Sequence, residues 1–196
     1  MELQHFNVKL LVTQAEGVDL ELLVPIFHNW IQDKVFDEQL LDIADYRHVH
    51  DGPGVILIGL EGDYSVDYTD GRLGVRYNRK AGLAGSNRDR LTQAARAVLS
   101  ACQRLEAEAS LGGKFRFNGQ DVEVFVNDRL LAPNIEATRT AVQPEFKNFF
   151  GDLFRGAEYS LSFNSDPRRL FTVSVKTAHL FSVSDLMQNL SADGAR

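Results

Sequence analysis

The chain is poor in cysteine, with Cys102 alone among 196 residues. No internal disulfide can form, and a structural zinc site built on several cysteines is excluded with it. No apolar run approaches the ~18 residues needed to cross a bilayer. The opening stretch, MELQHFNVKLLVTQAEG, alternates and carries charge, unlike a secretory leader. A cytoplasmic protein is expected, without membrane association. Long linkers and low-complexity tracts are also lacking, so residues 1–196 are expected to form a single domain, frayed from about residue 191. Positive charge is in deficit: the formal net charge of −6 argues against nucleic acid as a partner. The GxxxxGK[ST], GxGxxG, HExxH, HxxEH and GxSxG patterns are all missing.

What is present is an ordinary globular composition, long enough to bury roughly 70% of the unfolded surface. Alternation of Phe6, Val8 and Leu10 predicts a first strand over His5–Thr13. Leu22, Leu23, Ile26, Phe27, Trp30 and Ile31 follow at helical spacing, with Asp19 as N-cap and Pro25 kinking the helix or setting its start near Val24. The segment VFDEQLLDIADYRHVHD reads as irregular chain or a short helix. Gly54–Leu60 carries no charge and predicts a strand buried on both faces. A hairpin turning at Asp70-Gly71 is expected next, then a helix over Ser86–Glu108 opened by Ser86 and Asp89. A second hairpin is expected to turn at Asn118-Gly119. Asn134 is read as the cap of a helical region divided by Pro144 and stopped at Gly156. A third hairpin and a short helix over Ser184–Leu190 complete the chain. The predicted class is α+β: a mostly antiparallel sheet built from hairpins, with helices packed on one face.

Two stretches, VPIFHNWIQ…LLDIADYRHVHDGPGVILIGLEGDYSVD and NDRLLAPN, resemble a family of uncharacterised bacterial proteins of about this length, over most of the chain. The resemblance implies a cytosolic bacterial protein and carries no activity, cofactor or site residues.

Two stretches could carry chemistry. His48 and His50 are two apart, so on extended chain both imidazoles point to one side. With His28, Asp45, Asp51, Glu61 or Asp63 they could ligate zinc, iron or manganese, or exchange protons near neutrality. The ends of Gly54–Leu60 lie about 20 Å apart at ~3.3 Å per residue, which favours His28 or Asp45 over Glu61 as the third ligand. The competing reading is turn chemistry, since HDGPG has the residues a tight turn needs.

The other stretch is RYNRKAGLAGSNRDR. Arg76, Arg79, Lys80, Arg88 and Arg90 bracket Gly82 and Gly85, and the loop opens onto a helix start at Ser86. Free N–H groups and guanidinium forks there suit a phosphate or carboxylate; a solvated loop whose arginines are neutralised by nearby acids is the alternative. Cys102 and the Phe146–Phe154 stripe read as core. Lacking any complete catalytic motif, the chain is expected to be a protein-binding or self-associating module such as a homodimer. The alternative is an enzyme or sensor holding a small anion at Arg79, Lys80, Gly82, Gly85, Ser86 and Arg88, with or without a metal at His28, Asp45, His48 and His50. Whether it is an enzyme, and with what cofactor, stays open at this point.

Overall fold

The computed structural model describes residues 1–14, 17–50 and 52–192. Its strands are β1 (Phe6–Leu11), β2 (Leu40–Tyr46), β3 (Gly54–Gly59), β4 (Gly62–Asp67), β5 (Gly74–Arg79), β6 (Asp121–Val126), β7 (Tyr159–Phe163) and β8 (Phe171–Thr177). The helices are α1 (Leu23–Gln32), α2 (Asn87–Ala107), α3 (Glu136–Leu153) and α4 (Val183–Ala192). All eight strands join one antiparallel sheet in the order β2-β3-β4-β5-β1-β6-β8-β7. The α+β class expected from the sequence is therefore the class observed. Among the described residues no helix is long and apolar enough to cross a membrane.

Strand alternation decides which face the helices cover. Leu57, Tyr64, Tyr77, Val8, Val124 and Val173 lie on one face of their strands and are buried. Above them α2 runs along β1 and β5, with α4 against α2, while α1 covers β2 and β3. The Ser86 side chain and Asp89 form a capping box that starts α2. Pro25 falls within the first turn of α1, where no N–H is needed, so the helix is unbroken there. Phe146, Phe149, Phe150 and Leu153 on α3 and Phe154 just beyond it are buried, as their spacing predicts.

Several expectations are corrected. Residues 40–46 form the edge strand β2, not irregular chain or helix, because β3 supplies the ladder that local pattern could not reveal. β3 is buried on one face only: Ile56 and Ile58 are half-buried on the side without helices. Residues 114–118 form no strand, so the second hairpin is absent. Thr13 N–H bonds Arg116 O there instead, and β6 pairs with β1 and β8. Asn134 does not cap α3. Ile135 is the N-cap residue, and Asn134 donates its amide to Asp166 O. Pro144 does not divide α3; it sits on the exposed side, where water can serve the Thr140 carbonyl it leaves unbonded. The expected frayed tail meets α4, which continues to Ala192, and residues 193–196 lie outside the described residues.

The helix-free face is polar, yet Lys9 at its centre is 0% exposed. Its chain crosses Gly74 of the neighbouring strand, where a Cβ would come within 2.6 Å of Lys9 Cε. The ammonium then donates to Asp67 Oδ1 and to Arg72 O, both at 2.7 Å. Asp67 is equally buried, and it also accepts from Thr69 N and Ser65 Oγ. Burial pushes the Asp67 carboxyl up, but the Arg76 and Lys9 charges outweigh that and hold it below its usual range. Arg72 reaches back over β1 to Asp121 (2.9 Å) and Glu123 (3.0 Å) on β6. The β4–β5 turn is thus folded onto the sheet and takes the place of a covering layer.

Removing Lys9 leaves the buried Asp67 carboxylate with Arg76 as its remaining countercharge, so Lys9→Met should lose about 3 kcal/mol of stability. Adding Asp67→Asn to it should recover part of that loss. Urea unfolding at neutral pH checks both.

Candidate functional site

The far ends of the same two strands, β4 and β5, open into a cleft of about 630 Å³ beneath one side of α2. Its third wall is the connection between α1 and β2. Lys34 takes a left-handed turn (φ 50°) after α1, and Arg104 of α2 holds Val35 O at 2.7 Å. Phe36 then wedges between Trp30 (ring centroids 5.5 Å) and Tyr64 (4.7 Å, stacked). This delivers Glu38 to the strand ends, where its carboxylate accepts from Tyr64 Oη at 2.6 Å and from Gly62 N at 3.1 Å.

Two glycines make the approach possible. A Cβ at Gly59 would stand 2.9 Å from Glu38 Oε2, and one at Gly62 would stand 2.5 Å from the Tyr77 hydroxyl beneath it. Tyr77 Oη in turn accepts from Gln93 Nε2 at 3.2 Å, and Gln93 Oε1 is buried with no hydrogen-bond partner. Such an acceptor is uncommon in a folded protein. Arg79 Nη1 closes the cluster with Glu61 at 2.8 Å, while its Nε donates to Ala81 O.

Burial raises the Glu38 pKa above its ordinary value, and the two donated hydrogen bonds only partly oppose this. Burial also raises Tyr64 and Tyr77, with the Glu38 charge adding to both, so their hydroxyls keep their protons. The arrangement is a half-buried carboxyl next to neutral phenols at an open cleft. Such a group can accept or release a proton closer to neutrality than an exposed glutamate can.

Of the site candidates singled out in the sequence, Arg79 and Glu61 line the cleft and the others fall elsewhere. Lys80 turns away to Asp63 (2.7 Å) and Gly59 O. Ser86 serves the helix cap, and Gly85 (φ 109°) leaves room for Asp89, since a Cβ would lie 2.8 Å from Asp89 Oδ2. Arg88 pairs with Asp152 at 2.5 Å, and Gly82 is exposed. The basic loop is therefore distributed among local acids rather than gathered around one anion. His28 is exposed on α1, and His48 and His50 are exposed in the turn after β2. Arg47 grips Asp45 at 2.7 Å and, by hydrogen bonding, lowers its pKa to about 2. Among the described residues no three His, Cys, Asp or Glu side chains group as metal ligands; Asp51 lies outside those residues. Cys102 is buried in α2, and burial raises its thiol pKa well above the ordinary value.

No family model matches the chain, and no curated protein matches it either.

Glu38, Tyr64, Tyr77 and Gln93 were not singled out from the sequence as a site. The one usable signal was the glycine pair Gly59 and Gly62 around Leu60-Glu61, close backbone approaches that a buried strand end does not otherwise need.

Because the folded-state pKa of Glu38 is raised, its contribution to stability is complete below the ordinary value of 4.5 and is lost as pH climbs through the folded value. Glu38→Gln stays neutral and escapes that loss. Across a urea-unfolding series from acid to neutral pH, the intact protein should lose stability relative to Glu38→Gln as pH rises.

Proposed function

We propose that the protein binds a small neutral or cationic molecule in the α2 cleft and exchanges a proton with it through Glu38. The observation that carries this reading is the Glu38 carboxyl itself: desolvated, held by Tyr64 and Gly62, and facing an open cavity. A proton-exchanging carboxyl needs access to its partner, and the cleft provides it. The charge of the lining supports the ligand class. Asp37, Glu38, Glu61 and Asp89 face Arg79 and Arg96, and Arg79 is already committed to Glu61 and Ala81 O. An added anion would meet more carboxylates than available cations. A ligand bearing N–H or O–H groups would find acceptors in Glu38 and, after a modest side-chain adjustment, in Gln93 Oε1.

A thermal-shift screen of small amines, polyols and heterocycles alongside phosphates and carboxylates tests the reading. Stabilisation by a neutral or cationic compound, abolished in Glu38→Gln, is the expected result. Stabilisation by anions alone, or binding that ignores Glu38→Gln, contradicts it.

A further inference from the structure

We propose that the protein pairs with a second copy of itself along β7, antiparallel and centred on Leu161, so that two sheets join into one. Among the described residues β7 is a terminal strand with β8 as its only neighbour. The bond from Asn164 N to Thr172 O, with the register Ser162↔Ser174 and Ser160↔Lys176, places the backbone groups of Ser160 and Ser162 towards β8. By alternation, the N–H and C=O groups of Tyr159, Leu161 and Phe163 point off the sheet. These are the residues a further strand would bond.

The two edges of the sheet differ in how they are defended. β2 carries Asp42 and Asp45 and a register irregularity between Leu40 and Asp42, features that discourage pairing. β7 reads Tyr-Ser-Leu-Ser-Phe, with no charge, no proline and no bulge. Unprotected edges of this kind are templates for another strand.

The same five residues specify which strand fits. Read backwards, the segment keeps its pattern of aromatic, serine, leucine, serine, aromatic. Antiparallel pairing about a two-fold axis at Leu161 sets Leu161 against its own copy, Tyr159 against Phe163 and Ser160 against Ser162. Aromatic pairs and serine pairs are both favourable across strands. The axis also has the right parity: Leu161 offers its backbone groups outward, so it and its copy, like the Tyr159 and Phe163 pairs, exchange both of their N–H···O bonds. Tyr159, Leu161 and Phe163 are only half-buried, on the helix side, and pairing covers their remaining surface. Tyr159 is braced by Phe154 (5.7 Å) and by its hydroxyl on Lys147 O, which fixes the start of the strand against α3.

Sedimentation over a range of concentrations should show a monomer–dimer equilibrium, and Leu161→Lys, which sets two ammonium groups face to face on the axis, should abolish the dimer. The exposed serines give a second readout that leaves the core untouched. An equal mixture of Ser160→Cys and Ser162→Cys proteins should form a disulfide-linked dimer several times faster than either variant alone, because only the mixture puts thiols directly opposite. A monomer at every concentration, a dimer indifferent to Leu161→Lys, or cross-linking as fast in one variant alone as in the mixture would overturn the proposal. A monomeric chain that instead accepts foreign extended peptides at β7 also overturns it.

Discussion

A lysine ammonium without exposed surface sits at the centre of the sheet, and much of the architecture is arranged to satisfy it. Lys9 can lie across β5 only because Gly74 leaves room, and it reaches Asp67 and Arg72 O only because the β4–β5 turn folds back. The turn is secured from the other side by Arg72 on β6 and by an ion pair between Asp70 and Arg169. A charge this far from water is tolerable when every partner is in place, and strongly destabilising otherwise. It therefore penalises any slip of β1 against β5, because a slip of one residue would carry Lys9 to the opposite face.

The consequence is felt at the other end of β4 and β5. With their register fixed near Asp67 and Gly74, Gly62 comes to lie over the Tyr77 hydroxyl, and Tyr64 beside the carboxyl of Glu38. One end of this strand pair is closed over the buried Lys9–Asp67 ion pair. The other keeps an unpaired Gln93 acceptor and a desolvated carboxyl at an open cleft.

Local pattern carried most of the fold. Alternation located β1, β4, β5 and β8, and the Ser86–Asp89 signal located α2 to within a residue. It failed where pairing partners decide: Leu40–Tyr46 has two carboxylates and looks like loop, yet β3 makes it a strand, and the Asn118-Gly119 turn has no incoming strand because Thr13 takes Arg116 O. The site was harder to read. Histidine and arginine clusters draw attention in a sequence, but here the histidines are exposed and Arg47, Lys80 and Arg88 are matched by acids, two of them far off in the chain. Glu38 lies in the unremarkable run Phe36-Asp37-Glu38-Gln39, and its character comes from Tyr64 and Gly62, more than twenty residues on.

The protonation of Glu38 is where this account is most exposed. The Gly62 amide donates to its carboxylate, so the Gly62 backbone resonance, followed by NMR from pH 3 to pH 8 (about the range separating an ordinary from a strongly raised carboxyl), reports its titration. An inflection clearly above 4.5 that disappears in Glu38→Gln is predicted. An inflection at or below 4.5 would mean that burial does not outweigh the donated hydrogen bonds, and would contradict the reading of the cleft as a proton-exchanging site.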